Sequence, residues 1–268
     1  MINKSNIEDK TEITAYIGDM YYKSLYLYLN LDKYGFDSNE VKVYTQIIDG
    51  TITAVLLSFG KTLHIFSRDN NLNTSEIRNF IVNNCYSIIC SDGTIANSLY
   101  DEYNKKDFSI SIGSVLELKK ISSSLKTSNN LTIERAKENE FEKLVDFLIS
   151  DEDKKKVYTK EGLFNQISSR NKEGYGRNYI AKENDSIIAH AGTGAENNNI
   201  AIVNSVLVEK NHRGKGYATT IVKKLCEDLI LENKTCYLMV LEDNVEKLYQ
   251  KIGFEKKCSY GKLIRNVK

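Results

Sequence analysis

The stretch that most constrains this chain is Asn199-Ile200-Ala201-Ile202-Val203-Asn204-Ser205-Val206-Leu207-Val208, which runs through a glycine-bearing turn into an amphipathic helix. So many β-branched residues favour a strand covered on both faces. After the loop at 209–215, Ala218, Ile221, Val222, Leu225 and Leu229 recur at helical spacing, with Lys223, Lys224, Glu227 and Asp228 on the other face. The turn between them reads His212-Arg213-Gly214-Lys215-Gly216-Tyr217-Ala218. Its two glycines let the backbone approach a ligand closely. Backbone N–H groups there and at the helix start form an anion-binding concavity, and Arg213 and Lys215 add full charges. A pyrophosphate is the natural occupant. A dinucleotide fingerprint is excluded because Thr219 stands where the third glycine is needed, and no Walker loop occurs.

Around this unit the C-terminal half predicts a short strand at 131–136 and a helix with Phe141, Leu144, Val145 and Leu148 on one face. A second helix is expected over 161–169, then strands at 178–181 and 186–191 joined by a hairpin turn at Glu183-Asn184-Asp185. A strand at 236–241 and a short helix through Val245, Leu248, Tyr249 and Ile252, ending at Gly253, complete it. The order describes an α/β (α+β) domain: a mixed, mostly antiparallel central sheet flanked by helices. The N-terminal half carries a faint echo. A strand at 63–66, a helix at 77–82, a strand at 85–89 and a helix through Ala96, Leu99 and Tyr103 stand where similar elements stand later. Two domains are expected, 1–125 and 130–268, the first an α/β domain of similar topology, with a linker within 121–130.

Charge narrows the partners. Lys plus Arg is 37 and Asp plus Glu is 36, so no net field attracts nucleic acid or an anionic membrane. No apolar run approaches the roughly 20 residues that span a bilayer, and the first residues lack a secretory h-region. Five cysteines without a CxxC pair read as reduced thiols, which points to a cytoplasmic protein with neither a disulfide framework nor a metal site.

The turn and a second motif, Leu248-Tyr249-Gln250-Lys251-Ile252-Gly253-Phe254, together resemble the GNAT superfamily of N-acetyltransferases over roughly residues 130–260. Arg213, Gly216 and Ala218 meet the family's phosphate-loop pattern, and Leu248, Tyr249, Lys251, Gly253 and Phe254 its downstream motif. The family's Asn, seven residues before the Tyr, is replaced by Glu242, while Asn244 lies five before it. Either can fill that position.

The resemblance implies acetyl-CoA as co-substrate, held by the backbone of Val206, Leu207 and Val208 and by Arg213, Gly214, Lys215, Gly216, Tyr217, Ala218 and Asn244. It implies an amine acceptor, direct transfer, and an oxyanion donor worth about 3–4 kcal/mol. Tyr249 is the expected general acid, since a phenol of pKa about 10 can protonate a thiolate of pKa about 8.5. Glu196 is named as general base, with His190, Tyr158 and Tyr260 as rivals; Ser205 reads as a small residue making room. The N-terminal half has Ser67-Arg68-Asp69-Asn70-Asn71-Leu72-Asn73 where a phosphate loop belongs, so it is expected to hold no cofactor. Its aromatic-rich stretch 21–28 either lines an acceptor pocket or packs a helix. Two other readings fit the same motifs: a transferase fed by aminoacyl-tRNA, and a non-catalytic acyl-CoA sensor.

Overall fold

Residues 1–36, 38–103, 107–123, 125 and 131–266 are described by the structure, a computed structural model. Of the expected linker, residues 124 and 126–130 lie outside them. The chain forms two compact units, Met1–Leu116 with Met239–Glu246 and Lys256–Lys268, and Glu117–Leu238 with Lys247–Glu255.

In the first unit, β1 (Ile2–Lys4), α1 (Lys10–Ile17) and α2 (Leu25–Tyr34) precede the strands β2 (Val41–Ile48), β3 (Thr51–Phe59) and β4 (Thr62–Phe66). Alternation drives β2: Val41 and Val43 are buried while Lys42 points outward. Asp49 and Gly50 both take positive φ and close the β2–β3 hairpin. These hairpins are antiparallel, whereas β4 pairs in parallel with β5 (Ile88–Ser91) after the crossover helix α3 (Thr74–Asn83). The strand expected at 85–89 begins three residues later. Asn84, Cys85 and Tyr86 instead cap α3, their N–H groups donating to Phe80, Val82 and Ile81. Next come α4 (Gly93–Glu102) and β6 (Phe108–Leu118). Aromatic residues in the 21–28 segment pack on the core around Ile13, Leu27, Val43 and Phe66.

The second unit contains β7 (Ile133–Arg135), α5 (Phe141–Ile149), α6 (Glu152–Val157) and α7 (Lys160–Lys172), then β8 (Asn178–Glu183), β9 (Ser186–Glu196) and β10 (Ile200–Val208). The predicted stripe of α5 is buried, with Leu163 and Ile167 of α7 packed beside it. Strands β7 to β10 are antiparallel neighbours, and Asn184 and Asp185 make the expected hairpin with positive φ. After α8 (Tyr217–Leu231), β11 (Thr235–Val240) pairs with β10 in parallel. This is the pairing order of β2 to β5, so the internal echo is a repeat of topology. The chain closes with α9 (Asp243–Ile252) and β12 (Phe254–Arg265). Strand β12 starts in the second unit, and its later part, 261–264, pairs antiparallel with β5 in the first. Gly253 has φ +119°, and a Cβ there would lie 1.8 Å from the Lys120 carbonyl oxygen, so glycine is required at this close approach. No helix among the described residues is long and apolar enough to cross a membrane.

Candidate active site

The ladder between β10 and β11 covers only Ile200–Ile202 against Thr235–Tyr237. Beyond Ile202 the β11-facing edge of β10 has no ladder among the described residues, while Leu207 and Val208 still pair with His190 and Ala189 of β9. A strand bonds to both sides in alternation. The far half of β10 therefore presents an edge that an extended, amide-bearing ligand can fill. Burial agrees: 200–203 are buried, whereas 204–207 are half-buried.

The β9–β10 register slips between Asn204 and Leu207, and Ser205 takes φ +54° there. A non-glycine residue in that region is uncommon and held only by its surroundings. Here the holding groups are visible. His190 Nδ1 lies 2.6 Å from the Ser205 carbonyl oxygen, and Lys154 Nζ donates to Ser205 Oγ at 2.8 Å. A carbonyl only accepts, so Nδ1 carries the proton. Burial pushes His190 down to about 4, so the ring is neutral, and Nε2 lies 3.0 Å from Asn178 Oδ1. His190 is thereby a brace for the bulge, with no nitrogen facing a substrate.

Residues 209–216 follow β10 and lead into α8. Gly214 and Gly216 have φ of +77° and +80°. Gly216 is the N-cap of α8, with no side-chain cap, and its carbonyl accepts the first helical bond from Thr220. The N–H groups just inside the helix are thus left for a ligand. Arg213 Nε donates to the Val208 carbonyl, which ties the loop to the strand. A cavity of about 320 Å³ beside it is lined by Phe147, Asp151, Leu207, Val208, Asn211 and Arg213, among others.

Tyr249 of α9 is buried, its ring edge-on to Phe254, and burial with the nearby Cys226 thiol raises its hydroxyl to about 12. The phenol is fully protonated at neutral pH, as an acid must be. Asn244 is exposed in the first turn of α9, and the Glu242 carbonyl accepts from Val245 and Glu246, so Glu242 starts the helix.

Glu196 needs correction. Its oxygens accept from Arg177 Nε and Nη2 at 2.9 and 2.7 Å, Lys234 Nζ at 2.6 Å and Thr193 Oγ1 at 3.1 Å. Glu232 closes the network on Arg177. Glu196 sits opposite Ala201, four residues from the bulge, or roughly 13 Å at the strand rise. This carboxylate binds sheet to helix and is not placed to accept a substrate proton. Tyr260 lies in the first unit, donating to Cys90. Lys154, 6.0 Å from the Tyr158 ring, is the residue that sequence reasoning missed. Within Lys154-Lys155-Lys156 nothing marks it out from a solvated run. Among the described residues no group of three or more His, Cys, Asp or Glu is placed to hold a metal ion.

The site thus joins an open-edged, bulged strand to an uncapped helix start within a mostly antiparallel sheet. Residues 136–254 match the model of the Acetyltransferase (GNAT) family. That family transfers acyl groups from an acyl-CoA. The fold likeness extends further. The chain is similar to a GCN5-related N-acetyltransferase from Sphaerobacter thermophilus, at 15% identity, TM-score 0.66, and coverage of 99% of this chain and 95% of that one. It is similar to a GCN5-related N-acetyltransferase-like protein from Streptococcus suis at 11% identity and TM-score 0.64, over 98% and 100% of the chains. An acetyltransferase from the GNAT family of Colwellia psychrerythraea shares 12% identity over all of both chains, with TM-score 0.63. No curated protein matches by sequence.

Proposed function

We propose that the domain over 130–268 is an N-acetyltransferase that moves an acetyl group from acetyl-CoA to a primary amine by direct attack. The single observation that carries this reading is the open edge of β10 leading into the uncapped start of α8. The two features lie on one continuous segment, as a ligand with amides at one end and a pyrophosphate at the other requires. In this reading Val206, Leu207 and Val208 hold the pantetheine arm. The N–H groups of 214–218, with the Arg213 and Lys215 side chains, hold the pyrophosphate. The bulge turns a backbone N–H toward the thioester oxygen, where a fixed donor lowers the barrier most. Tyr249 returns a proton to the leaving thiolate. No carboxylate takes the role first given to Glu196, and an amine that arrives neutral, or loses its proton to water, needs none.

The first unit is proposed to bind no cofactor. Lys23 Nζ donates to the Ser67 and Arg68 carbonyls and to Asn70 Oδ1, so the loop after β4 turns acceptors inward and already holds a cation. That polarity is opposite to what a phosphate needs. The five free cysteines suit the expected cytoplasmic setting.

Calorimetry with CoA, together with thiol release from acetyl-CoA over a panel of amines, tests the proposal. Binding with amine-dependent release supports it. Binding without release for any amine indicates a sensor, and incorporation that requires aminoacyl-tRNA indicates the other transferase class.

A further inference from the structure

Lys154 stands beside the β10 bulge as a partly desolvated cation. It is half-buried, and its ammonium donates to the neutral Ser205 hydroxyl at the bulge. It forms no ion pair among the described residues. The neighbouring carboxylates are engaged elsewhere: Asp153 pairs with Lys156, and Asp146 with Lys160. Asp151 attracts Lys154 at longer range, but its Oδ1 accepts from the N–H groups of Asp153 and Lys154 as the cap of α6. Arg170 of α7 adds a second positive charge within electrostatic reach, and burial and that charge both lower the Lys154 pKa. His190 beneath the bulge is neutral and contributes no negative charge. A partly desolvated ammonium without an anion is costly, and the cost is relieved when an anion arrives.

We infer that Lys154, supported by Arg170, forms a carboxylate-recognition point beside the β10 bulge, so that the amine acceptor is an amino acid or another primary amine carrying a carboxylate. This rests on the acyltransferase reading, since the bulge is where that reading places the reacting thioester. The carboxylate takes the ammonium from Ser205, or shares it, and anchors the acceptor with its amine directed at the open edge of β10.

The test compares amino acids with their carboxamides, glycine against glycinamide and alanine against alaninamide, by thiol release from acetyl-CoA. The carboxamide amine is the less basic and richer in neutral form, so reactivity alone favours it. In the wild type, kcat/KM for the acid is expected to exceed that for the carboxamide by about 10- to 100-fold, the range of a charge-assisted hydrogen bond. In Lys154→Gln that ratio falls to near one, and Lys154→Arg keeps it well above one. A folding defect lowers both rates together and leaves the ratio unchanged. A wild-type ratio near one, or a ratio unaffected by Lys154→Gln, overturns the inference while leaving the transferase reading intact. If no amine releases thiol, the transferase reading fails. The recognition point is then judged by calorimetry with N-acetylglycine in the presence of CoA: tighter binding to wild type than to Lys154→Gln supports it, and equal or absent binding overturns it.

Discussion

Tyr249, proposed as the general acid, is a side chain picked out by a sequence motif and given its properties by its surroundings. The Leu-Tyr-x-Lys-x-Gly-Phe spacing marks it, and the fold buries it against Phe254 and Cys226, which raises its hydroxyl to about 12. Two consequences follow for the variant Tyr249→Phe, which keeps the ring packing. Turnover is expected to drop about 100- to 10,000-fold with CoA affinity little changed, since general acid catalysis is worth that much. The wild-type rate should also show no loss from phenol ionisation up to about pH 10. Thiol release with a working acceptor, across a pH series, checks both; turnover within threefold of wild type removes Tyr249 from the mechanism. Glu196 is the contrary case. An acidic residue near two central strands looks available on paper, and only the fold brings Arg177 and Lys234 to its oxygens.

At the scale of an element, the loop and α8 act as one device. Gly216 holds φ +80° as the N-cap, a conformation that costs a side-chain-bearing residue about 1–2 kcal/mol. Gly216→Asp adds a negative charge at the point where donors converge, whereas Gly216→Ala adds only bulk and strain. CoA affinity is therefore expected to fall modestly in Gly216→Ala and beyond detection in Gly216→Asp, with thermal unfolding shifted by similar small amounts in both. Near-wild-type calorimetric affinity for Gly216→Asp contradicts the phosphate-loop assignment. Both glycines and the helix were legible in the sequence, because their pattern is local. The slip in β10 was not: Ser205 is an ordinary residue for a strand, and its positive φ depends on His190 and Lys154 reaching it from other elements.

For the whole molecule, β12 carries the chain terminus from the second unit into the first. Leu263 is fully buried there in a core with Ile65, Ile89 and Leu99. Residues 256–268 should thus be needed for the N-terminal unit. Removing them is expected to abolish hydrogen-exchange protection in β5 and β4, and protection there as in the full chain argues against the dependence. Acid should weaken both units. Burial holds His64 and His190 at about 4, against 6.5 when unfolded. Above pH 6.5 both states are neutral and nothing is lost. As pH falls from 6.5 towards 4, the unfolded chain takes up protons that the folded chain refuses, at about 1.4 kcal/mol per unit for each histidine. Glu232, held near 2 by Arg177, is depressed from 4.5, so its contribution is lost only below about pH 4.5. Denaturant unfolding between pH 6.5 and 4.5 therefore reads the histidines, and its slope should shrink in a His64→Gln, His190→Gln variant.

By itself the sequence determined what depends on neighbours along the chain: the alternation of elements, the hairpin at Asn184-Asp185, the amphipathic face of α8, and the glycine turn that precedes it. Periodicity and backbone freedom are local properties, and they are written in consecutive residues. Tertiary structure alone decided which strand edge stays open, that Glu196 is locked in an ion network, and that Lys154, from a run of three lysines, is the one drawn to Ser205. Those outcomes turn on burial and charge pairing between residues tens of positions apart, which no spacing along the chain records.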